Sequence, residues 1–304
     1  MSNLEEPVNS LSDFVERVAA IREEFRDSLR LPEHKELWFR GESRDYRDTI
    51  LRPELYRPAK GVPLKPTAKL LTIENDLYEE FQRIAVELAH ERTTDEDWYW
   101  DSYFLMQHHG APTRLLDWSD GALMALHFSL RNKSDDSNDA QVYTVAPDAL
   151  ATRLKQSSDI KKHRRDWKAY VKRHPSYELE PDCWEDGYLP GDKVDLAELK
   201  LPQLPVVLDF PRFSRRIAAQ RSRFIAFGTD PHWLANEFKQ SNSTIRRIIV
   251  AAAARPKIRQ ELRDCGVTES VIYPDLDGIG REIKQTWEDR RAALEANTFG
   301  VSLN

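Results

Sequence analysis

Between Gln107 and Ser119 the sequence brings several side chains that could do acid–base or phosphate-binding chemistry into a short stretch. They are His108, His109, Arg114, Asp117 and Ser119. A histidine can act as a general base near neutral pH, and an arginine can hold a phosphate or a carboxylate through parallel hydrogen bonds. Asp117 could supply a negative charge to a reaction, or it could pair with Arg114 or cap the next helix.

Two other kinds of site fit this stretch poorly. Adjacent histidines on a helix point about 100° apart, so His108 and His109 would not easily bind one ion, and we predict no metal site. A nucleophilic serine is expected on a strained elbow such as G-x-S-x-G, whereas Ser119 lies in Trp118-Ser119-Asp120.

A second candidate is Phe39-Arg40-Gly41-Glu42, at the end of a predicted strand. An arginine followed by glycine offers a guanidinium group beside uncovered backbone, which suits a phosphate or a carboxylate. The alternative is that Arg40 makes a structural ion pair.

A third candidate is Gln220, which lies among arginines where another strand is predicted to begin. Its amide could orient a ribose hydroxyl or a second amide. The same residues could equally form a solvated, basic strand edge.

The fourth candidate is a basic run within residues 153–173 that could follow a nucleic-acid backbone, with Trp167 and Tyr170 stacking on bases. A charge run is also typical of a solvated helix face. The cations are Arg153, Lys155, Lys161, Lys162, Arg164, Arg165, Lys168, Lys172 and Arg173.

The elements that must position these groups can be predicted from apolar spacing and from Gly and Pro breaks. A helix should begin at the capping signal Ser10-Leu11-Ser12-Asp13 and run to about Phe25. Further helices are predicted at 68–91, 94–109, 121–130, 256–264 and 278–295. Strands are predicted at 36–41, 141–145, 206–210, 223–227 and 245–251, with 114–118 either a strand or an extended turn. The irregular alternation predicts an α+β or irregular α/β fold.

Composition narrows the class of protein. The chain has 304 residues, 40% of them hydrophobic, which excludes a disordered protein. With 45 Lys and Arg against 51 Asp and Glu, it is not a polybasic coat. The two distant cysteines form no disulfide framework. Without a signal-peptide pattern or an apolar run of membrane length, we expect a cytoplasmic protein with no membrane partner.

Four blocks of sequence together resemble the FRG domain family of bacterial and phage proteins, which is named for its Phe/Tyr-Arg-Gly motif. They are Phe39-Arg40-Gly41, 107–119 with 122–128, 216–220 with Phe224, and 273–279. The resemblance implies a domain over 36–285, after an N-terminal helical segment at 1–35 and before a helix end and tail at 286–304. A charged segment at 151–203 has no counterpart, and we predict an insertion or a loosely packed subdomain there.

More distantly, the order of the blocks resembles ADP-ribosyltransferases, which use NAD as substrate. This likeness implies a small mixed, split β-sheet flanked by several helices. Arg40-Gly41 would hold NAD, and residues 113–128 would lie against the nicotinamide ribose. Gln220 would correspond to the Glu or Gln-plus-Glu motif on the last strand of these enzymes. The expected carboxylate is missing beside Gln220, so Glu42 or Asp117 would have to supply it.

We therefore expect an NAD-using ADP-ribosyltransferase-like effector of bacterial defence, of anti-phage or toxin–antitoxin type. The predicted catalytic residues are Arg40, Glu42, His108, Asp117 and Gln220, and the predicted NAD contacts are Arg40, Gly41, Thr113, Arg114 and Ser119. One alternative is a nucleic-acid-cleaving enzyme with His108 or His109 as general base. The other is a non-catalytic module that senses a ligand or a partner, such as an antitoxin or a phage component.

Overall fold

One six-stranded β-sheet organises the chain. The computed structural model describes residues 6–88, 98–177, 179–191, 194–195, 198–208 and 220–300. The strands are β1 (Trp38–Glu42), β2 (Leu115–Ser119), β3 (Ala140–Val145), β4 (Val206–Leu208), β5 (Ser222–Ala226) and β6 (Ile245–Val250). Their order is β4-β5-β2-β1-β3-β6, and every neighbouring pair is antiparallel. The predicted α+β class is confirmed, with an antiparallel sheet where a mixed one was expected.

Six of the helices described around this sheet lie close to where the apolar spacing predicted them, whereas those at 147–156, 158–173, 233–238 and 269–272 were not predicted. Ser10 caps the first helix, since its hydroxyl accepts a hydrogen bond from the Asp13 amide. The predicted ends at 91 and 94 lie outside the described residues. No helix within the described ranges has the length and apolar character to cross a membrane. The helices are α1 (Leu11–Leu29), α2 (Thr67–Leu88), α3 (Trp98–His108), α4 (Ala122–Leu130), α5 (Pro147–Gln156), α6 (Ser158–Arg173), α7 (Trp233–Phe238), α8 (Arg255–Asp264), α9 (Glu269–Ile272) and α10 (Leu276–Gly300).

Strand β1 presents two chemically different faces because its side chains alternate. Phe39 joins a core cluster that includes Ala125 and Leu126 of α4. Gly41 points to the same side, where a Cβ atom would lie 2.0 Å from the Ala125 carbonyl oxygen and 2.6 Å from the Ser129 amide nitrogen. Gly41 therefore lets α4 approach the sheet, a packing reason that the sequence did not reveal.

We expect Gly41→Ala to destabilise the fold by about 1–3 kcal/mol, because backbone atoms of α4 would have to move to admit the methyl group. Denaturant unfolding of the purified protein measures this loss. Gly280→Ala is the matched control, since within one chain a Cβ atom there meets nothing within 4 Å and alanine favours a helix, so the stability of the folded chain should be unchanged or slightly raised. A Gly41→Ala protein as stable as the parent would contradict the packing argument.

The sheet opens between β1 and β2. Strand β1 pairs with β3 along five residues, but with β2 only at Phe39 and Ser119. On its other side β2 pairs with β5 from Leu115 to Ser119. Beyond the single β1–β2 pair, the Arg40 side chain crosses to β2 and donates through Nη1 to the Asp117 carbonyl oxygen at 2.8 Å. The central strands therefore diverge, with a guanidinium group spanning the gap.

The charged segment at 151–203 packs more tightly than predicted. Trp167, Tyr170 and Tyr188 are fully buried and belong to one core cluster, together with Trp184. The Trp167 indole donates to the Glu180 carbonyl oxygen at 2.9 Å. Where the segment is described, the expectation of loose packing is therefore wrong.

Burial also corrects the predicted nucleic-acid contact. The rings of Trp167 and Tyr170 have no exposed surface, so they cannot stack on bases. Four of the nine cations pair with carboxylates: Arg153 with Glu237, Lys162 with Asp166, Lys168 with Asp182 and Arg173 with Glu198. Within residues 153–173 only the cations could therefore contact a nucleic acid, and nucleic-acid binding by this segment stays a prediction.

Candidate functional site

A cleft of about 660 Å³ opens where β1 and β2 diverge. Its size is within the range typical of small-molecule sites. It collects residues from β1, the end of α3, β2 and the turn before β5. Among the sequence-predicted residues, those that line it are Arg40, Gly41, Glu42, His108, Asp117, Ser119 and Gln220.

Arginines and a buried carboxylate form one wall. Arg40 donates through Nε to Glu42 Oε1 at 3.3 Å, and Arg57 Nη2 lies 3.7 Å from the same oxygen. Only 2% of the Glu42 side chain is exposed, and among the described residues its Oε2 has no hydrogen-bond partner. Burial, together with the positive charge of Arg40, lowers the pKa of Arg57. An anion in the cleft would relieve this repulsion between the two guanidinium groups.

Asp117 provides the carboxylate that faces the cleft. Its side chain is exposed on the cleft side, yet protein surrounds it elsewhere. This loss of solvent raises the pKa of Asp117, while the charge of Arg40 and a hydrogen bond from Gln107 oppose the rise. Asp117 therefore resists ionisation more than an ordinary aspartate does and remains open to a ligand.

A hydrogen-bonded chain orients Asp117. Gln107 Nε2 donates to Asp117 Oδ2 at 2.6 Å, and the Thr113 hydroxyl donates to Gln107 Oε1. Thr113 accepts in turn from the Leu115 amide at 3.0 Å. Thr113, predicted to contact NAD, is fully buried and acts through Gln107 instead. Gln107 begins the second sequence block, but its role was not predicted.

Arg114, also predicted to contact the ligand, lies in the core and does not line the cleft. It pairs with Glu74 of α2, which also accepts hydrogen bonds from the Tyr103 hydroxyl and the Arg114 amide. Its Nη1 and Nη2 donate to the carbonyl oxygens of Phe227 and Tyr188 at 3.1 and 2.7 Å. Burial disfavours the charged form of Arg114, but the negative charge of Glu74 has the larger effect, so the pKa of Arg114 is raised. Arg114 thus ties together α2, α3 and the loop after β5.

Comparison with known proteins gives this part of the chain a family. Residues 35–138 match the family model described as the FRG domain. The chain contains an FRG domain. No curated protein and no solved structure matches the chain.

The matched FRG domain carries much of the cleft. It spans β1, α2, α3, β2 and α4, and so includes Arg40, Glu42, His108 and Asp117. The matched range is shorter than the predicted domain at 36–285. The predicted domain boundaries outside the matched range stay predictions. Gln220 lies outside the matched range, as does the 273–279 block, yet both contribute residues to the cleft.

The turn before β5 holds Gln220, which lies outside the matched range, against Ser119 of the FRG domain. The Ser119 hydroxyl donates to the Gln220 carbonyl oxygen at 2.8 Å and accepts from the Gly121 amide at 3.1 Å. These bonds give Ser119 a structural task in holding two chain segments together. Asp120 pairs with Arg221 and with Arg223, so it balances the arginines beside Gln220. Residues 216–219 of this block lie outside the described residues.

The two adjacent histidines, His108 and His109, point in different directions, as the helical spacing predicted. His108 lines the cleft, whereas His109 is exposed and is not among the residues found to line it. Their ring centroids are 5.4 Å apart and nearly perpendicular. Within the described ranges, no group of three His, Cys, Asp or Glu side chains could hold a metal ion.

The far wall of the cleft was not predicted residue by residue. Arg131 follows α4 in the FRG domain and stacks on the ring of Tyr273, with its guanidinium carbon 4.8 Å from the ring centroid. It also donates to the Tyr273 hydroxyl at 3.0 Å and pairs with Glu269 at 2.9 Å. The 273–279 block was the available signal for Tyr273, and no comparable signal marks Arg131.

Glu269 should make this wall sensitive to acid. Burial alone would raise its pKa, but hydrogen bonds with His127 and Arg281 and the charge of Arg131 lower the pKa of Glu269 to about 2. A depressed carboxylate pKa stabilises the fold above the unfolded value of 4.5, and this contribution is lost as pH falls towards 2. We expect Glu269→Gln to cost about 1–2 kcal/mol at neutral pH, a range reduced for solvent screening.

Denaturant unfolding at neutral pH and at about pH 2.5 tests this linkage. The difference between the parent and Glu269→Gln should shrink towards zero in acid. Glu79→Gln, at an exposed position of α2, is the control and should show no such trend. A difference that stays constant with pH would contradict the assignment.

Proposed function

We propose that the cleft binds NAD and transfers its ADP-ribosyl group to an acceptor, as an effector of bacterial defence of anti-phage or toxin–antitoxin type. The observation that carries the proposal is the meeting of Arg40 and Asp117 across the divergence of β1 and β2. A guanidinium group suits a pyrophosphate, and a carboxylate suits the positive charge that develops on the ribose.

Of the two carboxylates, Asp117 is the better placed to act on the ribose. Glu42 is buried and shares Oε1 between Arg40 and Arg57, so it holds these arginines in position. Asp117 is exposed to the cleft and is held by a neutral amide. Asp117 is opposite Phe224 of β5 and lines the same cleft as Gln220, so it can supply to the cleft the negative charge that the sequence around Gln220 lacks.

The charge of the cleft also favours a diphosphate. Arg40, Arg57 and Arg131 line it, against Glu42 and Asp117. The contacts described for Arg40 use Nε and Nη1, which leaves Nη2 to meet a phosphate oxygen. Gln220 and Asn132 add amides that could orient ribose hydroxyls.

In the proposed reaction the bond between ribose C1′ and the nicotinamide nitrogen breaks, and its electron pair leaves with nicotinamide. The Asp117 carboxylate stabilises the oxocarbenium-like ribose at this stage. A nucleophilic oxygen or nitrogen of the acceptor, or water, then bonds to C1′. Its proton passes to a base, for which His108 is the candidate because it lines the same cleft.

The test uses the purified full chain with NAD labelled in the adenosine half, alone and with cell extract. We expect nicotinamide release and transfer of label to a macromolecule, both reduced in Arg40→Ala. If the parent released no nicotinamide and transferred no label under either condition, the proposal would fail.

The nucleic-acid-cleaving alternative has lost one of its supports, because Trp167 and Tyr170 are buried. It also needs His108 alone as general base, since His109 does not face the cleft.

We expect Gln107→Leu to shift the acid limb of the NAD-cleavage rate to higher pH. The Gln107 hydrogen bond lowers the pKa of Asp117, so its loss raises that pKa further and the active anion is lost sooner as pH falls. The pH profile of nicotinamide release measures this. A drop in rate with an unmoved acid limb would show that Gln107 does not act through Asp117.

A further inference from the structure

The C-terminal helix α10 turns its polar side towards the rest of the protein. Gly278, Arg281 and Glu282 lie on its less exposed side. Arg281 pairs with Glu269 at 3.1 Å, and Glu282 accepts a hydrogen bond from the Ser270 amide at 2.8 Å. Polar contacts therefore anchor the first half of the helix.

The opposite side of α10 is apolar and exposed. Successive residues of a helix are about 100° apart around its axis, so Leu276, Ile283, Trp287 and Leu294 share one face. This face is roughly opposite Arg281. The exposed fractions are 85% for Leu276, 65% for Ile283, 57% for Trp287 and 65% for Leu294. An amphipathic helix normally buries its apolar face, so this stripe marks an interaction surface.

The spacing of the stripe identifies what fits it. Leu276 and Leu294 lie equally far from residue 285, and so do Ile283 and Trp287. The stripe therefore reads the same in both directions along the helix. A two-fold axis near residue 285 would place Leu276 against Leu294 of a second copy, and Ile283 against its Trp287.

Size and charge agree with an antiparallel arrangement. Gly280 and Arg290 also lie equally far from residue 285, so the glycine leaves room for the longer side chain. Asp277 and Arg291 lie on the same flank of the stripe, and the two-fold axis brings Arg291 of the second copy level with residue 279, so opposite charges meet when the helices run antiparallel. The overlap from Leu276 to Leu294 is about 27 Å long.

We propose that this face of α10 is a dimer interface, occupied by α10 of a second copy of the chain in antiparallel orientation. It involves no cleft residue, so its failure would leave the proposed NAD chemistry standing.

Sedimentation of the full chain over protein concentrations up to about 100 µM tests the association. We expect a concentration-dependent dimer, and Trp287→Glu should raise its dissociation constant at least about 10-fold. Ile84→Glu is the matched control, because Ile84 is 53% exposed on α2, outside the stripe, and should leave the dimer unchanged. A chain that stays monomeric throughout, including one whose stripe binds a different protein, would overturn the proposal.

Cross-linking tests the orientation. Cys183 and Cys265 are exposed and are first replaced by serine. When Leu276→Cys and Leu294→Cys proteins are mixed under mild oxidation, the disulfide should join the two different variants. Cross-linking of Leu276→Cys to itself would indicate parallel helices, and a dimer unaffected by Trp287→Glu would place the interface elsewhere; either result would overturn the proposal.

Discussion

Asp117→Asn is expected to lower the rate of nicotinamide release from NAD by about 100- to 1000-fold, the usual effect of removing one group that stabilises a developing charge. The asparagine keeps the shape of the side chain and can still accept the hydrogen bond from Gln107. The change therefore removes the negative charge with little change in the wall of the cleft.

Steady-state kinetics of the variant separate charge stabilisation from binding. The loss should fall on kcat, with KM changed much less, because the charge on the ribose develops only in the transition state. Asp166→Asn removes an exposed carboxylate of α6 outside the cleft and should retain the parent rate. An Asp117→Asn enzyme of undiminished kcat would return the catalytic role to Glu42 or remove it altogether.

The largest expected effect on stability is at Glu74. Glu74→Leu should reduce the free energy of unfolding by about 3–5 kcal/mol, because it leaves the Arg114 charge buried without its carboxylate. The Tyr103 hydroxyl and the Arg114 amide lose the same acceptor. Denaturant unfolding measures the loss.

Glu80→Leu is the control for Glu74→Leu, since Glu80 lies on the exposed side of the same helix and pairs only loosely with Arg83, at 3.9 Å. It should change stability by less than about 1 kcal/mol. Combining Glu74→Leu with Arg114→Met should recover part of the loss, because the uncompensated charge is then gone. If Glu74→Leu were no worse than Glu80→Leu, the Arg114 pair would not be the anchor described.

Local signals were sufficient for much of the fold. The Ser10 capping signal and the apolar spacing after it predicted α1, whose hydroxyl cap the structure contains. Gly41, and the glycine and proline after α3, predicted to within one residue where the strand and the helix end. These features depend on neighbours a few residues away, which a sequence displays directly.

The site needed information that lies far apart in the chain. Arg40 belongs to a predicted strand and Arg114 to a segment predicted as a strand or an extended turn, yet Arg40 faces the cleft and Arg114 is buried with Glu74. What separates them is the partner across space, 40 residues away in the case of Arg114. The same reason explains why Gln107 was missed as the residue that orients Asp117. The periodicity of α10 predicted a helix, but not that its apolar face would be exposed.

The most direct test of the account is calorimetric titration of NAD into Asp117→Asn, which should bind the dinucleotide without consuming it. We predict saturable binding at one site per chain, weakened at least about 10-fold when Arg40→Ala is added, because Arg40 would hold the pyrophosphate. Saturable binding that is insensitive to Arg40→Ala, or no binding of NAD at all, would contradict the claim that this cleft is a dinucleotide site.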